Sequence, residues 1–254
     1  MTAIIAIIPA RYGSTRFPGK SLAQIKGKPV IQWVYESTKR SHLIDRVIVA
    51  TDDERIFAAV AEFDGEAVMT SSEHPTGTDR IAEVAKKLDC ALVVNVQGDE
   101  PLIQPDMIDE TITPLLSDAS ISMGTLCKRI QDPAEAFDPN VVKVVFDAQG
   151  FALYFSRAPI PWDRNRWSGK NSLKELPLFS PMYKHIGLYV YRRNFLLSFT
   201  RMTQTALESV EKLEQLRALE KGHKIKVVET IHDSFGVDIP EDLGKIQKLL
   251  DSNG

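Results

Sequence analysis

Cysteine is scarce in this sequence: Cys90 and Cys127 are the two in 254 residues, and neither belongs to a CxxC or another metal-type spacing. That excludes a disulfide framework and a zinc ribbon. Both sit beside apolar residues and read as buried free thiols, a usage that suits a reducing cytoplasm. Long apolar runs are missing too. None approaches ~20 residues, so nothing reads as a membrane span. The apolar opening at residues 3–9 lacks the basic n-region and the length of a signal peptide. Positive charge is not in excess either. A formal net charge of −3 speaks against broad, sequence-independent nucleic-acid binding, yet leaves room for a local cation cluster around a small anion. No internal repeat, low-complexity tract or clear linker divides the chain.

Buried strands and amphipathic helices alternate through the first half. Residues 3–9 form a near-continuous aliphatic run, as a strand covered on both faces requires. A polar stretch follows from Arg11 to Lys20. Pro29 to about Arg40 reads as a helix, with Ile31, Val34, Tyr35 and Thr38 on one face. Residues 47–50 read as a strand, and Asp52-Asp53-Glu54 opens the next helix, where acids favour the N-terminal dipole. Strands over 66–69 and 91–96 and helices over 78–88 and 105–117 complete four alternations, the pattern of βαβ units around a parallel sheet with helices on both faces. Beyond residue 120 the pattern changes. Strands are expected over 121–126, 141–146, 151–155 and 186–191, with a long polar loop over 162–181. Helices follow over about 193–200 and 207–221, then a strand over 224–229 and a last helix after Pro240. The expectation is a single α/β unit over residues 1–254, with an inserted mixed-sheet lobe at about 120–200.

The segment after the first strand, Ile8-Pro9-Ala10-Arg11-Tyr12-Gly13-Ser14-Thr15-Arg16-Phe17-Pro18-Gly19-Lys20, carries three cations within ten residues. Ligands of open α/β sheets bind at the carboxyl ends of strands. Cations, hydroxyls and exposed backbone N–H groups there suit a triphosphate. A P-loop is excluded, because five residues rather than four separate Gly13 from Gly19 and Pro18 removes a backbone donor. The segment resembles the N-terminal signature of the CMP-sugar synthetases, and its R-F-P-G-K form is similar to that of the 3-deoxy-manno-octulosonate cytidylyltransferase (CMP-Kdo synthetase) family. ATDDERI at 50–56, TGTDRIAE at 76–83, NVQGDEP at 95–101, ALYFSR at 152–157, YKHIGLY at 183–189, EKLEQLRALEKG at 211–222 and GVDIPEDL at 236–243 resemble the same family, in order, over nearly the whole chain. The resemblance implies a Rossmann-like fold of the nucleotide-diphospho-sugar transferase type, a cytoplasmic enzyme with a Mg²⁺ cofactor, and a homodimer formed through the lobe.

Gln97-Gly98-Asp99-Glu100-Pro101 closes the fourth strand in a tight turn that aims its acids at the strand-end crevice, where a hard cation needs carboxylate oxygens. Glu100 reads either as a partner of metal-bound water or as a plain turn acid. The resemblance implies that Asp99 shares the metal with Asp238; read alone, Asp238 is equally a helix cap. Thr76-Gly77-Thr78-Asp79-Arg80 places a glycine, hydroxyls and a cation at a helix start. Thr78 could be only an N-cap there, and Arg80 only a surface residue. The resemblance assigns nucleotide contacts to Ala10, Arg11, Ser14, Arg16, Lys20, Gly77, Thr78, Arg80 and Gln97. It assigns sugar contacts to Arg157, whose fork suits a carboxylate, and to His185, Tyr189, Glu214 and Gln215. Glu211 and Arg217 fall on one side of the expected helix with Glu214 and read as a salt-laced exposed face.

The reaction implied is attack by the anomeric hydroxyl of an acidic eight-carbon sugar on the α-phosphorus of CTP. Pyrophosphate leaves, with Arg16, Lys20, Asp99 and Asp238 as the catalytic set, and the product serves lipopolysaccharide synthesis. The rivals are a cytidylyltransferase for an 8-amino Kdo analogue or a sialic acid, and a glycosyltransferase of the same fold. The last would use a DxD motif, and Asp99 has no acid two residues away. Two departures from the family pattern lie beside Asp238: Ile239 stands where Thr is usual, and Asp233-Ser234-Phe235 replaces a Gly/Thr-rich turn.

Overall fold

The aliphatic run becomes β1 (Ile4–Ala10), an interior strand of a nine-stranded sheet. Ile4, Ala6, Ile8 and Ala10 enter the core on one face, and Ile5 and Ile7 the core on the other. A two-sided strand needs that unbroken hydrophobicity. The computed structural model describes residues 3–13, 16–167 and 181–252.

After β1 come a short hairpin, β2 (Gln24–Ile25) and β3 (Lys28–Pro29), then α1 (Val30–Lys39), β4 (Arg46–Thr51), α2 (Glu54–Glu62), β5 (Ala67–Met69), α3 (Gly77–Lys86), β6 (Leu92–Asn95) and α4 (Pro105–Ser117). The second half holds β7 (Met123–Arg129), α5 (Pro133–Phe137), β8 (Lys143–Phe146), β9 (Ala152–Ser156), α6 (Arg164–Trp167), β10 (Tyr183–Arg192), α7 (Arg193–Phe199), α8 (Ala206–Glu211), α9 (Leu216–Glu220), β11 (Ile225–Glu229) and α10 (Pro240–Ser252). The sheet order is β11-β7-β10-β6-β1-β4-β5, with β8 and β9 branching from β10. β1 runs parallel to β4 and β6, and β11 parallel to β7, whereas β10 is antiparallel to both β6 and β7. The sheet is thus mostly parallel with helices packed on both faces, as the alternation predicts. The chain leaves β1 toward β4 on one side and meets β6 on the other, so a crevice opens at the carboxyl ends of β1 and β6.

Three local features differ from the sequence reading. The β2–β3 hairpin turns on Lys26 and Gly27, at φ 50° and 76°, the two consecutive positive values of a tight hairpin turn. The helix expected over 207–221 is broken into α8 and α9 at Lys212, which takes a left-handed conformation. The break lets Glu211 reach Ser156 and the Arg157 backbone while Glu214 reaches Thr78. Arg217, instead of lacing an exposed face, is buried against Glu208. Tertiary partners override the helical period there. Of the loop expected over 162–181, residues 168–180 lie outside the described residues.

α10 brings the C-terminal segment back to the crevice. Ile246 and Val237 pack with Ile25, Val30 and Leu102 in a separate apolar cluster, which anchors the helix over the hairpin. The Val237 amide donates to the Asp99 carbonyl at 2.8 Å. That contact, made between segments remote in sequence, sets Asp238 beside the β6 turn.

Candidate active site

The crevice at the ends of β1 and β6 is a cleft of about 450 Å³. β1 supplies Ala10, and the following loop supplies Arg11, Arg16 and Lys20. The start of α3 supplies Gly77 and Arg80, the β6 turn Gln97 and Asp99, and the approach to α10 Asp238. The structure brings these nine together. Ser14 lies outside the described residues. Close approach makes the β6 turn possible: a Cβ on Gly98 would stand 2.7 Å from the Pro9 carbonyl oxygen, so only glycine lets the turn lie flat against β1.

Lys20 organises the charges. Its ammonium donates to Asp99 Oδ2 and, at 3.1 Å, to the Val237 carbonyl, and lies 3.7 Å from Asp238 Oδ1. Arg16 Nη2 donates to Asp238 Oδ1 at 3.0 Å. Asp238 does not cap α10. The Asp242 carboxylate accepts the amides of Asp238 and Ile239 instead, leaving the Asp238 side chain for the two cations. The pair Asp99 and Asp238 therefore offers hard oxygen donors at the same point as fixed positive charge, an arrangement suited to a divalent cation that a polyphosphate helps to coordinate. Among the described residues, no group of three or more His, Cys, Asp or Glu converges as a self-sufficient metal cage.

Thr76, not Thr78, caps α3, accepting the Asp79 amide at 3.1 Å. The Thr78 hydroxyl is buried and donates to Glu214 Oε2 at 2.5 Å, behind the cleft rather than in its lining. Arg80 is not a surface residue. It is 3% exposed, and its guanidinium is held by Asp52, Thr70 and the Ser71 carbonyl. Asp52 was visible in the sequence only as a helix-opening acid, and nothing local ties it to Arg80.

The five residues assigned to the sugar do not line this cleft. His185 and Tyr189 lie on β10 around a register shift, their rings 5.4 Å apart. The shift brings Gly187 to the β6 turn, where Gln97 Nε2 donates to the Gly187 carbonyl at 3.4 Å. Thr125 fills the irregularity, donating to the Leu188 carbonyl at 2.8 Å, and its oxygen is 2.9 Å from His185 Nε2. Burial pushes the His185 imidazolium down to about 3, so the ring is neutral at physiological pH. Burial likewise raises the Tyr189 phenol well above its ordinary value, with the Glu214 charge adding to the effect. Glu214 and Gln215 sit at the break between α8 and α9, Gln215 being buried. Burial raises the Glu214 carboxyl, against the pull of the Thr78 hydroxyl. Arg157 Nε donates to the Glu211 carbonyl at 2.7 Å and Nη1 to the Pro139 carbonyl at 2.9 Å, so its fork also ties two backbone segments together. Glu100 turns from the cleft toward Ser234, whose hydroxyl donates to it at 2.6 Å. Burial lifts its carboxyl to about 7 against that hydrogen bond, with Asp99 adding to the rise.

Comparisons with known proteins identify the family. A family profile described as cytidylyltransferase matches residues 5–225. A 3-deoxy-manno-octulosonate cytidylyltransferase of Geotalea daltonii is 59% identical over 254 residues, covering 99% of each chain. One of Geotalea uraniireducens is 60% identical over 97% of this chain and 98% of its own. A solved structure described as CMP:2-keto-3-deoxy-manno-octonic acid synthetase complexed with CTP superposes with a TM-score of 0.92 at 40% identity, covering all of both chains. The 4-diphosphocytidyl-2C-methyl-D-erythritol synthase of Anaerococcus prevotii superposes at 0.63 with 14% identity over 98% of this chain and 96% of its own, a likeness of fold alone.

Proposed function

The chain belongs to the cytidylyltransferase family, and from that premise we propose that it transfers CMP from CTP to the anomeric hydroxyl of 3-deoxy-D-manno-octulosonate (Kdo), giving CMP-Kdo and pyrophosphate. The observation that carries the reading is the meeting of Asp99 and Asp238 on Lys20 at the mouth of a cleft lined by Arg11, Arg16 and Arg80. Fixed cations and paired carboxylates at a strand-end crevice are what a nucleoside triphosphate needs.

Arg11, Arg16 and Lys20 hold the β- and γ-phosphates, where charge grows as pyrophosphate leaves. Ala10, Gly77 and Gln97 face the base and ribose, with Thr78 supporting the α3 turn from behind. Arg80 holds a phosphate or ribose oxygen from the opposite wall. On the acceptor side, Arg157 takes the sugar carboxylate. His185 and Tyr189 take hydroxyls, and Glu214 and Gln215 support them. Asp99 and Asp238 hold Mg²⁺, which when bound neutralises the phosphates and lowers the pKa of a hydroxyl in contact with it. The protein's own part is alignment: cations draw the polyphosphate to one wall, and the β10 side presents the acceptor hydroxyl in line with the α-phosphorus.

The product's use is lipopolysaccharide synthesis, in the cytoplasm, by a homodimer formed through residues 120–200. Exposed apolar side chains in that stretch, Leu153 at 63% and Trp162 at 50%, support a covered surface there. No helix among the described residues is long and apolar enough to cross a membrane. The deciding experiment is pyrophosphate release with CTP, UTP or ATP against Kdo, 8-amino Kdo or a sialic acid, with and without Mg²⁺. Release confined to CTP, Kdo and Mg²⁺ is expected. Release with another sugar alone would change the acceptor, and none with any pair would end the reading.

A further inference from the structure

The β4–α2 turn and the first two residues of α2, residues 52–55 together, line no part of the cleft themselves, yet their side chains reach both walls of it. Asp52 goes one way. Its Oδ2 accepts from Arg80 Nη2 at 2.9 Å, and Arg80, with a side chain 4% exposed, lines the cleft from α3. Asp53 and Arg55 go the other way. Arg55 Nε and Nη2 donate to the two Asp53 oxygens at 3.0 and 2.7 Å, a fork on a carboxylate that fixes the plane of the guanidinium. That plane lies over the Tyr12 ring, with Cζ 3.3 Å from the ring centroid.

Tyr12 is where the cation-bearing loop begins. Its carbonyl accepts the Gly19 amide at 2.9 Å, closing the loop at its base immediately before Lys20. Gly19 has φ 71°, and a Cβ there would stand 2.8 Å from Tyr12 Cε2. The ring is thus packed on the Gly19 backbone as well as under Arg55. A displaced Tyr12 would release the base of the loop and, with it, the direction of Lys20.

We propose that Asp52, Asp53, Arg55 and Tyr12 are positioning residues for CTP: the β4–α2 turn braces the two walls of the triphosphate cleft, fixing Arg80 through Asp52 and the Arg16–Lys20 loop through the Asp53–Arg55–Tyr12 stack. The inference rests on the CTP reading above. Preset cations lose less freedom when the polyphosphate binds, so the brace acts on CTP affinity and not on the acceptor.

Electrostatics gives the test its sign. Removing a negative charge near a polyanion site strengthens anion binding on Coulombic grounds alone. The brace demands the opposite. Asp53→Asn keeps an N-cap acceptor for the Arg55 amide, so α2 persists, but it weakens the fork that orients Arg55. Asp53→Asn and Asp52→Asn are each expected to raise the CTP KM about fivefold, and Tyr12→Ala about tenfold. Tyr12→Phe, which keeps the ring, leaves the CTP KM unchanged. In all four the Kdo KM stays within error of wild type and calorimetric CTP affinity follows the CTP KM; Asp53→Asn and Tyr12→Phe also keep the wild-type melting temperature, so their KM values are read on an intact fold. A CTP KM unchanged or lowered in Asp53→Asn, with wild type turning over normally, overturns the brace alone. A wild-type protein that binds no CTP brings down the functional reading and the brace together.

Discussion

Asp99 and Asp238 face one another across a single ammonium: Lys20 Nζ donates to the first and lies 3.7 Å from the second. The acids are brought together by the backbone bond from the Val237 amide to the Asp99 carbonyl. Lys20 is therefore the internal counter-ion of the carboxylate pair, at the point where the proposed function puts Mg²⁺.

Asp99→Asn tests the pair. The β6 turn is a strand-end feature outside the apolar core, so the fold should survive. The expected result is a loss of Mg²⁺-dependent turnover of about 10²–10³-fold, with a circular-dichroism melt close to wild type. Near-wild-type turnover would remove Asp99 from the metal site.

Lys20→Met separates two roles of one side chain. Without the ammonium, the two carboxylates repel, and a divalent cation relieves them. Titration calorimetry of the nucleotide-free variant should show Mn²⁺ bound about tenfold more tightly than by wild type, while CTP turnover falls at least about 10²-fold. Unchanged Mn²⁺ affinity would mean that Lys20 does not compete for these oxygens.

How much of this was legible in the sequence depends on how far apart the cooperating groups lie. β1 was plain because a two-sided strand must be aliphatic at every position, and the cation loop because Arg11, Arg16 and Lys20 are close in sequence. The meeting of Asp99 with Asp238 was expected only through the family resemblance. No spacing encodes it, and the bond that makes it depends on α10 docking over the β2–β3 hairpin. The break at Lys212 was hidden for the opposite reason. Residues 207–221 carry a good helical period, and only the distant partners Ser156 and Thr78 pull Glu211 and Glu214 apart. Asp52 looked like one more helix-opening acid until Arg80 proved to be buried against it.

Arg157 carries two loads that one variant can tell apart. Its fork holds the carbonyls of Pro139 and Glu211, and the proposed function gives it the sugar carboxylate. Arg157→Ala should lower stability by about 1–2 kcal/mol in urea denaturation and raise the Kdo KM about tenfold, leaving the CTP KM nearly unchanged. Equal changes in both KM values would make Arg157 a structural cross-link only.

His185 gives the pH prediction. Its ring packs edge-on to Phe155 at 5.0 Å and beside Thr125, and burial holds its folded-state pKa at about 3, against an ordinary value of about 6.5. The folded pKa is depressed, so the unfolded chain binds the proton first. The contribution to stability is complete above about pH 6.5 and is lost as pH falls toward 3. By pH 5 the loss amounts to about 1–2 kcal/mol. Urea unfolding at pH 7 and pH 5 should show that decrement in wild type and a smaller one in His185→Gln, and equal decrements would mean that the ring is not desolvated. The same neutrality bears on recognition. Under the proposed function, a ring uncharged at working pH exchanges hydrogen bonds with sugar hydroxyls but offers no charge to the acid, which leaves the carboxylate to Arg157. Raising the ionic strength should therefore weaken Kdo binding in wild type and His185→Gln alike, and much less in Arg157→Ala.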